Sequence, residues 1–360
     1  MSAISTILLL FGVSDILASI SLEEQVKLLE ARIGNLESPT WLVLEKGPRR
    51  QHWTECSKVE ICHCSWEEQS INCRGRFTTT GTNNVWNQVI IRDVHHLDVS
   101  SNNIRFISPR AFESLSSLEE LNVENNQVMH IPEFAFRDLK DLLHLKLSRN
   151  RLQILPKRLL AFCPRLQTID LSQNEVSDVP HRLFGQNPDL EEVDLSFNAL
   201  SQVNNLHLGP SLVFLDLSHN NIEHITGLVQ NGVGLRRLLA HDNQISDTLF
   251  AQDLKSLEYL DLSNNFIYDL DNHAFKALVN LKELILTGNL IQQYNPGVFP
   301  PTLVVLNLAR NQIEEVTETT DPFDVVNLDL EYNLLQERPI LSSHPKLDVL
   351  KISGNFFSID

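Results

Sequence analysis

One pattern governs what this chain can fold into. From residue 94 onward the sequence repeats the series L-x-x-L-x-L-x-x-N-x-L. The first copy places Val94, Leu97, Val99, Asn102 and Ile104, and the second Leu118, Leu121, Val123, Asn126 and Val128. The asparagine then returns at Asn150, Asn174, Asn198, Asn220, Asn243, Asn265, Asn289, Asn311, Asn333 and Asn355, in steps of 22 to 24 residues. Each copy reads as a short strand with its aliphatic side chains facing one way. A single coil cannot bury that face, so the coils must stack and share one continuous core. The recurring Asn fits a ladder of buried amides that satisfies backbone groups at each bend. Removing a middle rung, as in Asn198→Ala, should strand backbone groups and cost about 1–3 kcal/mol.

Charge and motifs narrow the function. The chain carries 29 Lys and Arg against 46 Asp and Glu, a net charge of −17. That balance argues against a sequence-independent grip on nucleic acid or on an anionic membrane. A hydrophobic content of 42% supports a large core and excludes disorder. No nucleophile elbow, zincin helix, phosphate loop or dinucleotide fingerprint occurs. A solenoid also lacks the deep pocket most small-molecule enzymes use. The expectation is a protein without catalysis, cofactor or metal.

The N-terminal part divides into short segments. Residues 1–21 read as a signal peptide, with an apolar stretch from Ile4 to Val13 and a small-x-small site at Ser19-Ile20-Ser21. Residues 22–37 carry Leu22, Val26, Leu29, Ile33 and Leu36 at heptad spacing, an amphipathic helix suited to self-association or to cover. Residues 38–52, with Gly47-Pro48, read as a linker. Residues 53–93 hold Cys56, Cys62, Cys64 and Cys73. In a secreted chain that cluster reads as two disulfides with three possible pairings, and a zinc site is the rival. Paired C-x2-C spacings, usual for zinc, are missing. No later segment is long and apolar enough for a membrane helix, and no Asn-x-Ser/Thr acceptor occurs.

These residues resemble the extracellular leucine-rich repeat family, including the repeat ectodomains of Toll-like receptors, Slit-like proteins and small proteoglycans. The longer subtype shows in Ala111-Phe112, Ala135-Phe136 and Ala274-Phe275, each followed by a leucine three residues after the Phe. The resemblance implies an α/β class solenoid: a curved horseshoe with a parallel concave sheet of about twelve repeats over residues 94–360. It also implies that residues 53–93 form the family's N-terminal cap, with bridges Cys56–Cys64 and Cys62–Cys73. Cys163 falls where Leu115 and Leu139 fall in their repeats, and is expected to be a buried thiol. No C-terminal cysteine cap follows, so the last coil, with Leu350, Ile352, Phe356 and Phe357, is expected to expose an apolar edge suited to self-association.

With strand leucines at positions four and six facing in, positions three, five and seven face out. Position three reads His96, Glu120, His144, Thr168, Glu192, Phe214, Arg237, Tyr259, Glu283, Val305, Asn327, Val349. Its centre, Phe214-Arg237-Tyr259, sets a guanidinium between two aromatics, the residue types that dominate interface hot spots. Phe197, Leu239 and Ile285, with Tyr332 and Val305, add apolar surface on or beside that face. Position five carries Asp98, Asp170, Asp194, Asp216, Asp261 and Asp329, either an acidic stripe or the ordinary wording of the repeat. His96, Glu120 and His144 have metal-binding side chains, yet the two His lie two strand spacings apart, about 10 Å.

The expected function is binding. Phe197, Phe214, Arg237, Leu239, Tyr259 and Ile285 should form a concave site for an extracellular or cell-surface protein, in innate-immune or cell-surface recognition on the strength of the resemblance. A matrix or adhesion component and a secreted enzyme inhibitor are the alternatives.

Overall fold

A computed structural model describes residues 42–43, 62–76, 89–90 and 93–357, apart from 108, 110, 114, 204–205, 207, 226–233, 271–274 and 318–320. The expected signal peptide, the heptad helix and Cys56 lie outside the described residues. Leu42–Val43, within the stretch read as a linker, pairs in parallel with Val89–Ile90.

The repeat dictates the architecture. Twelve three-residue strands, from His96–Asp98 to Val349–Lys351, run parallel in one 14-stranded sheet. Every strand pairs with the next at the same repeat position, so Leu97 faces Leu121 and Leu121 faces Leu145. The register follows from the side-chain alternation: a one-residue slip would turn the leucines out of the core. The aliphatic residues of positions four and six are buried in every coil but the last, as with Leu215 and Leu217 at 0% exposure. The coils return through turns rather than regular helices. Among the described residues the helical segments are two short 3-10 stretches, Leu249–Asp253 and Pro296–Val298. In each A-F-x-x-L copy the turn closes on itself, with the Leu115 N–H donating to the Phe112 carbonyl and that of Leu139 to Phe136. The phenylalanines stack between coils: Phe112 and Phe136 lie 5.8 Å apart, and Phe275–Phe299 and Phe299–Phe323 each 6.0 Å.

The asparagine ladder has the expected form. Asn174 Nδ2 donates to the carbonyls of Leu147, Leu171 and Ser172, while its Oδ1 accepts the Leu152 N–H. Each amide thus joins its own coil to the one before. Nine of the twelve asparagines are buried; Asn102, Asn198 and Asn355 are half-buried. The residue just before each ladder asparagine lies in the left-handed region, with φ between +52° and +76° in all twelve coils. Arg149, Phe197, His219 and Tyr332 are among these, although side chains disfavour that region. The backbone bonds that clamp both sides of the turn hold them there.

The first edge is covered. His63–Ser65 and Ser70–Asn72 form an antiparallel hairpin, and the second of these strands pairs in parallel with the first repeat strand. The Cys62–Cys73 disulfide closes the hairpin. The Cys73 carbonyl accepts from Asn102 Nδ2, so the cap supplies the first rung of the ladder. The companion bridge, Cys56–Cys64, involves a residue outside the described set. Cys163 is a free, fully buried thiol packed against the Phe136 carbonyl, and burial pushes its pKa up to about 12. At the far end Leu350 and Phe356 are exposed and Ile352 and Phe357 half-buried.

Candidate functional site

The outward face of the sheet is built by register. Phe214, Arg237 and Tyr259 occupy the same position on three consecutive strands, flanked by Glu192 on one side and Glu283 on the other. Strands of one sheet lie about 4.8 Å apart, so the three side chains touch. The Arg237 guanidinium lies 4.5 Å from the Tyr259 ring centre and 5.9 Å from that of Phe214. Arg237 is exposed and both rings are half-buried. A cation held against aromatic faces gains about 0.5–2 kcal/mol, and the contact fixes the arginine's long stem while leaving its donors available. The Tyr259 hydroxyl is harder to ionise than usual, through burial first and then the nearby Asp261 and Glu283 carboxylates.

Leu239 and Ile285 lie one column over, both half-buried and separated by Asp261. Five of the six expected contact residues therefore share one patch. Phe197 does not join it. It sits at a turn on the rim of the sheet, 49% exposed, with its ring stacked 3.9 Å from that of His219. Tyr332 is its counterpart six coils further on, 57% exposed under the Arg310 guanidinium at 5.4 Å.

The position-five aspartates have a structural task. Asp170, Asp194, Asp216 and Asp261 each accept the backbone N–H two residues on, at 2.8–2.9 Å. Asn122 and Asn307 do the same in their coils. These acidic residues therefore close the turns after their own strands. The crowding still leaves a mark: burial, and then repulsion from Asp216 and Asp170, raises the Asp194 pKa against the hydrogen bonds from Ser196.

His96, Glu120 and His144 do not converge. His96 Nδ1 lies 3.3 Å from Glu120, whose other oxygen takes the Lys146 ammonium at 2.5 Å, while His144 turns to the Thr168 hydroxyl at 2.8 Å. Burial alone would raise the Glu120 pKa, but the Lys146 and His96 contacts bring it below its ordinary value.

A different group does converge, and the sheet columns did not reveal it. His219, His241 and Asp242 stand at the turns that follow two adjacent strands, with one ligand atom from each within 4.8 Å of the others. The signal lay in the two positions preceding the ladder asparagine, where this coil reads His241-Asp242 and its neighbours read Ser218-His219 and Ser263-Asn264.

Comparison with known proteins places these features in a family. The leucine rich repeat profile matches residues 92–128, 123–176, 164–222, 243–291 and 255–313, together more than half of the chain. Human leucine-rich repeats and immunoglobulin-like domains protein 3 is 37% identical over 111 residues, covering 29% of this chain and 10% of that protein. Toll-like receptor 2 of Ovis aries is 26% identical over 207 residues, covering 43% of this chain and 25% of the receptor. The chain thus spans a quarter or less of either relative. Among solved structures, the APL1 leucine-rich repeat domain has a TM-score of 0.60 at 28% identity over 74% of this chain and 75% of that one. A Leptospira interrogans repeat protein reaches 0.66 at 24% identity, over 74% and 68%. Period, ladder, register and profile agree: the chain belongs to the leucine-rich repeat family.

Proposed function

We propose that this chain is an extracellular recognition protein that binds a protein partner across its concave sheet, centred on Arg237. The observation that carries the reading is the guanidinium held between the Tyr259 and Phe214 rings on an outward face. Such a face concentrates apolar area, a preordered cation and low side-chain entropy at one point, which is how interface hot spots are built. The fitting partner presents an apolar patch with a hydrogen-bond acceptor for Arg237, and basic groups towards Glu192 and Glu283. The Cys62–Cys73 bridge suits an oxidising, extracellular setting. Among the described residues no helix is long and apolar enough to cross a membrane. A related repeat chain, 28% identical with a TM-score of 0.61, comes from the LRIM1/APL1C complex, and the similarity to Toll-like receptor 2 supports an innate-immune or cell-surface setting.

The test is affinity capture from extracellular fluid and cell surfaces, read by mass spectrometry. Wild type runs beside a Phe214/Arg237/Tyr259 triple-alanine variant whose fold is verified by circular dichroism. Loss of one captured protein in the variant supports the concave site. Equal capture by both overturns it and moves recognition to another surface.

A further inference from the structure

The geometry points to a divalent metal site formed by His219, His241 and Asp242, and we propose that it takes Zn2+. The three ligand atoms lie within 4.8 Å of one another. Asp242 Oδ2 is 2.7 Å from His241 Nδ1 and 3.6 Å from His219 Nε2. Around a tetrahedral zinc with bonds of about 2.0–2.1 Å, ligand atoms stand about 3.3 Å apart. The two distances from Asp242 bracket that value, and the two imidazoles stand within 4.8 Å of each other, so binding asks for side-chain adjustments of up to about 1.5 Å. Two imidazoles and one carboxylate are a donor set suited to zinc, and they leave one position open towards solvent. All three side chains are half-buried.

The scaffold beneath is rigid. The His219 N–H donates to the His241 carbonyl at 3.0 Å, the Asp242 N–H to the Ser263 carbonyl at 2.9 Å, and ladder residue Asn243 donates to the His241 carbonyl at 3.1 Å. The remaining Asp242 oxygen, Oδ1, is held by Asn264 Nδ2 at 3.1 Å, and the His219 ring is stacked on Phe197. Supporting contacts of this kind orient metal ligands and strengthen binding.

The sequence of this coil departs from its neighbours where the site requires it. In the flanking coils Asp216 and Asp261 bond to the hydroxyls of Ser218 and Ser263. Here both members of that pair are replaced, by Leu239 and His241. The exchange removes the carboxylate that closes the turn and places an imidazole at the same step, facing Asp242. A surface ion pair needs two groups; this one gathers a third from the adjacent coil.

The site is independent of the partner reading, and its test needs no partner. Untagged full-length protein, freed of metal, is titrated with Zn2+ by calorimetry and with Co2+ by visible absorption. Wild type is expected to bind one Zn2+ per chain, and Co2+ at that site to show the intense visible bands of a low-coordinate ion. His219→Ala and His241→Ala should each weaken binding at least 10–100-fold, and Asn264→Ala by a smaller factor. Phe214→Ala, on the sheet face, should leave it unchanged. Absence of saturable Zn2+ binding in wild type, or equal binding by both folded histidine variants, overturns the proposal. Should either histidine variant fail to fold, Asp242→Asn, which keeps the shape and the Asn264 contact distance, decides in its place.

Discussion

Replacing one rung of the asparagine ladder tests how the solenoid is held together. Asn174 is 8% exposed and sits mid-array. Its Nδ2 reaches the Leu147 and Leu171 carbonyls at 3.0 Å and that of Ser172 at 3.1 Å. Each of these carbonyls keeps another donor when the amide is removed: Asn150 Nδ2 for Leu147, Asn198 Nδ2 for Leu171 and the Arg149 N–H for Ser172. The Leu152 N–H, 3.0 Å from Asn174 Oδ1 in the buried turn, loses its acceptor. One buried unpaired donor costs about 1–3 kcal/mol, and the three weakened carbonyl contacts place Asn174→Ala towards the upper end, about 2–3 kcal/mol. Asn174→Asp separates donor from acceptor. It retains the oxygen for Leu152 but turns an anionic oxygen on three carbonyls, so it should cost more than alanine at pH 7. That excess should shrink as pH falls and the new carboxyl takes up a proton, which it can donate. Urea unfolding followed by circular dichroism gives the global cost. Hydrogen exchange at Leu152 gives the local one, which matters because solenoids can open coil by coil. An alanine variant within 0.5 kcal/mol of wild type, or an aspartate no worse than the alanine, would refute the reasoning.

Three further outcomes follow from buried or crowded groups. Asp194→Asn keeps the acceptor for Ser196, as Asn122 does in its own coil, and removes repulsion from Asp170 and Asp216. A carboxyl with a raised folded-state pKa opposes folding at neutral pH and ceases to do so as it protonates. The variant should therefore gain about 0.2–1 kcal/mol at pH 7 and lose the advantage as pH falls into the carboxylate range; equal stability at pH 7 would contradict this. His344, 6% exposed and bonded through Nε2 to the Tyr294 hydroxyl at 2.7 Å, has its pKa lowered from 6.5 by burial, a backbone contact with Leu341 acting the other way. The unfolded chain then binds this proton more readily, so stability holds above about pH 6.5 and falls below it. The urea midpoint should drop more steeply from pH 7 to 5 in wild type than in His344→Gln, and parallel curves would exclude the histidine as the cause. Cys163, buried with its pKa pushed up to about 12, should resist iodoacetamide in the folded protein and react fully in urea, whereas rapid native labelling would place the thiol at the surface.

The fold was legible because its information is periodic. Asn102 to Asn355 recur in steps of 22 to 24 residues, and that recurrence sets both the strand positions and the face each residue takes. The same arithmetic aligns Phe214, Arg237 and Tyr259 on adjacent strands, since register in a parallel stack follows from repeat position. Contacts at the turns were not legible from the strand columns. His219 and Asp242 meet across a turn whose left-handed backbone, at φ +53° and +54°, carries side chains to the rim rather than along the strand axis. Phe197, expected on or beside the sheet face, belongs to that rim for the same reason. The Asp column reads as either an acidic stripe or the ordinary wording of the repeat, and the hydrogen bond to the N–H two residues onward gives that wording a physical task.

The central claim, recognition through the sheet face, is tested most directly by photocrosslinking. A photoreactive phenylalanine analogue placed at Tyr259, and separately at Ile154, which is 70% exposed and lies outside the sheet strands, is irradiated with the captured partner. The account predicts a covalent adduct from the Tyr259 position and none from the Ile154 position. Adducts from Ile154 alone would show that the partner binds elsewhere.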